Sequence, residues 1–299
     1  MHGSGGVGDL LDAITEDFEK NENPELDETI KIAIVGKPNA GKSSIVNALI
    51  GEERVIVSNI SGTTRDSIDS KVKYEGENFI LIDTAGIRKK SKVNWGVEKF
   101  AVDRAIRSIR ECDVAILVLD ATDGLTDQDK KIAQTIIDAG KGLIVAINKW
   151  DLWEECVKEK TSDPTAKYTQ KLMKDAPFLD FAPKIFISAK TKQRLVSIYK
   201  QTKEVYAQCT KRVSTSILNK ILLEAMAMNP PSTKRGKKLR VYYATQVNTA
   251  PPTFILFVND EELVQDSYKR YLENKMRESF GFFGTPIRMS FRERKEKAN

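Results

Sequence analysis

Residues 36–43, Gly36-Lys37-Pro38-Asn39-Ala40-Gly41-Lys42-Ser43, carry the spacing G-x-x-x-x-G-K-S and are followed by Ser44. Glycines at the fixed positions let the backbone wrap a polyphosphate with its N–H groups, Lys42 neutralises the terminal phosphates, and the Ser43 hydroxyl ligates magnesium. Downstream, Asp83-Thr84-Ala85-Gly86 adds a carboxylate that can hold the magnesium through water and, at Gly86, an N–H for a γ-phosphate. The loop beyond can then sense hydrolysis. Between the two stands Gly62-Thr63-Thr64-Arg65-Asp66, where Thr64, ahead of Thr63, is expected to complete the magnesium shell and leave it with the phosphate. Asn148-Lys149-Trp150-Asp151 brings base chemistry: Asp151 can accept from guanine N1–H and N2–H, a donor pair adenine lacks, while the Lys149 stem lies along the ring. Ser188-Ala189-Lys190 can offer the Ala189 N–H to guanine O6.

Such a loop works only between a strand and a helix, and the neighbouring pattern supplies both. Ile32, Ala33, Ile34 and Val35 form a short apolar run before the glycine, and the helix from Lys42 aims its positive end at the same oxygens. Residues 68–74 and 78–82 alternate as strands around a turn at Glu75-Gly76-Glu77. The runs 114–119 and 143–147 are uniformly apolar, as buried parallel strands are, and 184–187 is the last strand of the series. Helical period occupies 99–110, 127–139 and 194–205. Alternating strands and helices predict an α/β fold, a mostly parallel sheet with helices on both faces. Beyond residue 208, helical patterns at 215–228 and 263–280 and strands at 239–247, 253–258 and 287–290 predict a small α+β module.

A chain of 299 residues with 40% hydrophobic content can bury real cores. It has no apolar run near the roughly 18 residues of a membrane span and no basic-then-apolar leader, so a cytoplasmic protein is predicted, with no membrane partner. Cys112, Cys156 and Cys209 are scattered, which argues against a disulfide framework or a zinc site. His2 is the sole histidine, so histidine-based catalysis is excluded. Charge is uneven: about −8 over residues 1–29 and about +8 over 207–299, an acidic linker and an RNA-facing module in expectation.

These five motifs resemble the TRAFAC class of GTPases, in detail the Era-like group and above all the Der (EngA) family, whose members carry two tandem G domains and a C-terminal KH-like domain. The resemblance covers nearly the whole chain and includes Asn148-Lys149-Trp150-Asp151, residues 212–219 and Pro230-Pro231. It implies a second G domain over 30–207 and a KH-like domain over 208–291, with a basic tail at 292–299 that is frayed. Residues 1–15 then look like the remnant of a first G domain that is otherwise missing, and 16–29 like the linker. The implied activity is hydrolysis of GTP to GDP and phosphate, used as a conformational switch in assembly of the bacterial large (50S) ribosomal subunit. The implied partners are GTP or GDP and the large subunit with its rRNA, and the cofactors are Mg2+ at Ser43, Thr64 and Asp83 and K+ at Asn39, helped by a long switch from 51 to 66. Lys42, Thr64, Gly86 and Asn39 would carry catalysis. Ile87 stands where Ras-like enzymes place a water-orienting glutamine, so intrinsic hydrolysis is expected to be slow. Alternatives are a GTPase of the tRNA-modification type, whose folate-binding and helical modules have no counterpart here, and a nucleotide-locked RNA-binding scaffold with negligible turnover. The KH-like part lacks a G-x-x-G loop; Arg235-Gly236-Lys237-Lys238 is the nearest basic glycine turn, and Phe280, Phe282 and Phe283 are packed aromatics or base-stacking candidates.

Overall fold

The computed structural model describes residues 29–52, 55–61, 68–84, 97–157, 163–234 and 236–294. The expected remnant at 1–15, almost all of the linker, and Gly62 to Asp66, Ala85, Gly86, Ile87 and Arg235 lie outside the described residues. The first unit contains β1 (Ile30–Val35), α1 (Lys42–Ile50), β2 (Val55–Ser61), β3 (Ile68–Tyr74), β4 (Glu77–Leu81), α2 (Val97–Glu111), β5 (Val114–Asp120), α3 (Asp127–Asp138), β6 (Gly142–Asn148), α4 (Trp150–Val157), α5 (Pro164–Asp175), β7 (Lys184–Phe186) and α6 (Ser197–Cys209). The second contains α7 (Thr215–Met228), the two-residue strands β8 (Thr233–Lys234) and β9 (Lys237–Lys238), β10 (Val241–Asn248), β11 (Thr253–Val258), α8 (Asp266–Phe280) and β12 (Arg288–Glu293).

The first seven strands form one sheet in the order β2-β3-β4-β1-β5-β6-β7. β1, β4, β5, β6 and β7 pair in parallel, while β2 and β3 are an antiparallel extension. Every residue of β5 and β6 is buried, because helices cover both faces; that is why these segments read as unbroken apolar runs. Alternate residues of β1 serve the two sides. Ile32 and Ile34 pack with Ile45 and Leu49 of α1 and Ile198 and Val205 of α6. Ala33 and Val35 pack with Ile109 of α2, Ile136 of α3 and Leu172 of α5. The expected strand at 68–74 and helix at 215–228 appear with those bounds, whereas the helix expected from 194 begins at Ser197. Residues 55–61, which fall within the expected switch, pair along their whole length with β3 as an edge strand. The end expected to fray also differs, since Arg292 and Glu293 pair with Phe257 and Val258.

In the second unit β10 is antiparallel and β12 parallel to β11, with α8 as the crossover. Helices α7 and α8 cover one face through Leu218, Leu222, Leu272 and Met276, which meet Phe254, Leu256 and Met289. Phe282 belongs to this core and is fully buried; of the three candidate phenylalanines, Phe283 alone is classed as exposed.

The units are joined by backbone. Gly284 donates its N–H to the Phe181 carbonyl at 2.6 Å and accepts from the Leu143 N–H at 2.7 Å, so one residue of the second unit lies between the approaches to β6 and β7. Gln208 accepts from the Phe282 N–H at 2.8 Å, and Arg288 donates to the Asp138 carbonyl at 2.6 Å. Gly284 adopts φ +70°, and a β-carbon there would collide with the Val205 side chain. Gly284→Ala should therefore lower unfolding free energy by about 1–3 kcal/mol, through overpacking and a left-handed backbone. Guanidinium unfolding of both proteins measures this; coincident midpoints would show that Val205 yields without cost.

Candidate nucleotide site

The strand order reverses at β1, which has β4 on one side and β5 on the other, so the carboxyl ends of these strands open onto a crevice. The loop 36–41 leaves β1 at this point and enters α1. Asn39 takes φ 64°, a left-handed conformation that asparagine tolerates, and Gly41 follows at φ 96° as the N-cap of α1. Gly41 has no side chain to cap the helix, so the first-turn N–H groups are left for another acceptor. Lys42 folds over the loop, its Nζ donating to the carbonyls of Gly36 at 2.8 Å and Lys37 at 2.7 Å. Burial pushes its pKa below the ordinary lysine value, opposed by the charge of Asp129. Lys37 reaches Asp123 at 2.9 Å. Pro38, Ser43 and Ser44 are exposed, while Ala40 is fully buried beneath the loop.

Two strands along, Asp120 ends β5 and Asn148 ends β6, directly paired in register. Asn148 is buried at 2% exposure, and its amide serves two loops at once: Nδ2 donates to the Ala40 carbonyl at 2.9 Å, and Oδ1 accepts from the Ala189 N–H at 3.1 Å. A β-carbon on Gly41 would strike that Nδ2, so the glycine is needed for the amide to approach. Ala189 N–H was expected to reach guanine O6; here it is engaged by Asn148, because the 188–190 turn folds back toward the end of β6. Ser188 accepts from the Thr191 N–H at 3.1 Å, and Lys190 is exposed.

Lys149 has φ 60° and its ammonium pairs with Asp120. Burial alone would raise the Asp120 pKa, but hydrogen bonds from Lys149 and Thr122 outweigh it, and the carboxyl is held below the usual aspartate value. Trp150 is fully buried against Phe186, ring centroids 4.4 Å apart, and anchors the turn; Asp151 follows, half-buried in the first turn of α4.

Beside β1, the chain leaves β4 into Asp83, at φ 56°, whose N–H donates to Asp69 Oδ1 at 2.9 Å and whose Oδ2 lies 3.6 Å from Arg104 Nε. Thr84 is fully buried with its hydroxyl 3.0 Å from that of Ser70. Thus β3 positions the start of the 83–86 segment. Asp69, Ser70, Arg104, Asp120 and Asp123 were not singled out from sequence; only the β3–β4 register and the buried end of β5 reveal them. Among the described residues, the phosphate loop, Asn148 to Asp151 and Ser188 to Lys190 gather at the ends of β1, β6 and β7, with Asp83 and Thr84 at the end of β4. A loop offering free helix N–H groups and a buried lysine can receive a polyphosphate.

Two protein-family models match the chain: "50S ribosome-binding GTPase" over residues 31–149, and "KH-domain-like of EngA bacterial GTPase enzymes, C-terminal" over residues 212–292. The chain is 49% identical to GTPase Der of Staphylococcus carnosus over 290 residues, which is 97% of this chain and 65% of that protein. It is 47% identical to GTPase Der of Caldanaerobacter subterraneus subsp. tengcongensis over 291 residues, again 97% and 65%. The chain thus spans about 65% of the length of these curated relatives. A crystal structure of Era with MgGDPNP and nucleotides 1506–1542 of 16S ribosomal RNA is similar at 22% identity and TM-score 0.44, covering 89% of this chain and 92% of that one.

Asn148→Ala removes both bonds of the amide and leaves the Ala40 carbonyl and Ala189 N–H unpaired in a buried place. Loss of about 1–3 kcal/mol of unfolding free energy is expected in a urea titration. A midpoint equal to the parent's would mean that the two loops hold their positions without the amide.

Proposed function

Because this chain belongs to the GTPase Der family, we propose that it binds GTP in the crevice at β1, β5 and β6 and hydrolyses it to GDP and phosphate, as a switch in assembly of the large ribosomal subunit. The observation that carries this reading is the Asn148 amide, which ties the phosphate loop to the turn after β7 and so holds a phosphate cradle and a base-facing edge as one surface. In this reading the G domain covers 30–207 and the KH-like domain 208–291, 1–15 derives from a preceding G domain, and the protein works in the cytoplasm on GTP, GDP and the large subunit's rRNA.

The donor set suits the roles. Lys42 would exchange two carbonyl partners for phosphate oxygens, and the anion would offset the burial that now depresses its pKa. Asp151, on a turn anchored by Trp150, accepts the paired guanine donors. Ser43, exposed at the start of α1, and Asp83 offer hard oxygen donors, with Thr64 completing the set. Magnesium held there supplies neutralisation of the phosphate charge. Asn39, exposed in the loop, would help seat a potassium ion, which supplies positive charge near the bridging oxygen in a chain where Ile87 replaces the water-orienting glutamine.

Phosphate release over time tests the reading, and no release above buffer would leave a nucleotide-locked scaffold. Asp151→Asn should shift kcat/KM from GTP toward XTP by about two orders of magnitude or more, since the amide donates to xanthine's second carbonyl where the carboxylate repels it. Equal loss with both nucleotides would remove Asp151 from the base. Turnover should also be faster in potassium chloride than in sodium chloride at matched ionic strength, and Asn39→Ala should bring the ratio to about one. A parent indifferent to the exchange would refute the potassium role.

A further inference from the structure

In the second unit the helices cover one face of the three-stranded sheet, and the other face is built differently. Along β11, Phe254, Leu256 and Val258 turn into the core while Thr253, Ile255 and Phe257 turn outward. Register places Tyr243, Phe257 and Arg292 in one cross-strand row on that outer face. Strict alternation would send one of two adjacent tyrosines inward. The register shift between Val241 and Tyr243 prevents this and leaves both Tyr242 and Tyr243 out, at 47% and 45% exposure. Tyr243 and Phe257 have ring centroids 6.1 Å apart at 31°, and the Arg294 guanidinium lies 5.6 Å from the Tyr242 ring centre. Two guanidiniums and three rings therefore share one surface.

We propose that this outer face, formed by Tyr242, Tyr243, Phe257, Arg292 and Arg294, is a binding platform for single-stranded RNA. The inference rests on the reading that the partner is ribosomal RNA. The cations on the face are Arg292 and Arg294, in a segment, 207–299, whose net charge of about +8 favours a polyanion. The acids at this end are Glu293, between the two arginines, and Glu261 and Asp260, which accept from the Glu293 N–H at 3.0 Å and the Glu262 N–H at 2.9 Å. The rings select unpaired bases, because a flat aromatic surface stacks on a base face only when the base has left its duplex. The place is accessible. Arg288, at the other end of the sheet, contacts the first unit, and the aromatic row lies four residues further along β11 and β12, about 13 Å away.

The test is fluorescence anisotropy of a labelled, unstructured 12-nucleotide RNA with the full chain, beside a hairpin duplex of the same composition and purified large-subunit rRNA. Tyr243→Ala should weaken binding of the 12-mer roughly 5- to 100-fold, the range of one stacked base, while Tyr243→Phe stays within about twofold. Arg292→Ala should reduce the slope of log affinity against log salt by about 0.7, one phosphate on a single strand. Binding of a fluorescent GDP analogue reports that each variant is folded. If the parent binds rRNA and the variants match it, the platform is wrong while the ribosomal reading stands. If the parent binds no rRNA at all, that reading falls as well. Tighter binding of the duplex, or displacement of RNA by polyglutamate at equal charge, would overturn the assignment to single-stranded RNA.

Discussion

One buried side-chain amide carries the arrangement. Asn148 gives a hydrogen to the Ala40 carbonyl and takes one from the Ala189 N–H, so two loops more than a hundred residues apart are placed by a group with a donor on one side and an acceptor on the other. Aspartate would set a carboxylate against the Ala40 oxygen, and leucine would satisfy neither neighbour. The rest of the first unit serves this contact. Complete burial of β5 and β6 fixes their register, register puts Asn148 level with Asp120, and Gly41 leaves the space the amide occupies.

The cations of the crevice are held by partners inside the protein. Lys149 is paired with Asp120, Lys37 with Asp123, and Lys42 with two carbonyls of its own loop. The three situations differ physically. An aspartate pairs directly with Lys149, whereas Lys42 touches only carbonyl dipoles, feels the Asp129 charge without contact, and is depressed by burial, so an arriving anion would relieve it.

The features written in local spacing were legible from sequence. The phosphate loop needs four residues at set positions, and buried parallel strands need only unbroken apolar runs; both appear where expected. The hairpin of β3 and β4 followed from alternation, although β4 starts one residue earlier. Elements stabilised by distant partners were not legible. β2 mixes Ser58 and Asn59 with valines and becomes a strand because β3 lies alongside it. Helix α5 buries only Tyr168 and Leu172 and is otherwise largely polar, though Asp163 capping it and Pro164 opening it were available signals. The engagement of the Ala189 N–H could not be foreseen, because it depends on how a turn from residue 188 meets the end of β6. Tyr242 and Tyr243 escaped notice for a similar reason: one bulge turned both rings to the same surface.

Gly284 also sets an order of assembly. A chain made from its N-terminus completes β5, β6 and β7 before residue 284 exists, and until then the Leu143 N–H and Phe181 carbonyl have only water as partners. The second unit has its own apolar core, separate from those of the first. About 140 residues separate Leu143 from its acceptor, but closure entropy grows only with the logarithm of that length, so the delay adds little to the cost. In a nascent chain the residues of the crevice strands are thus made before the residue that closes their opposite ends.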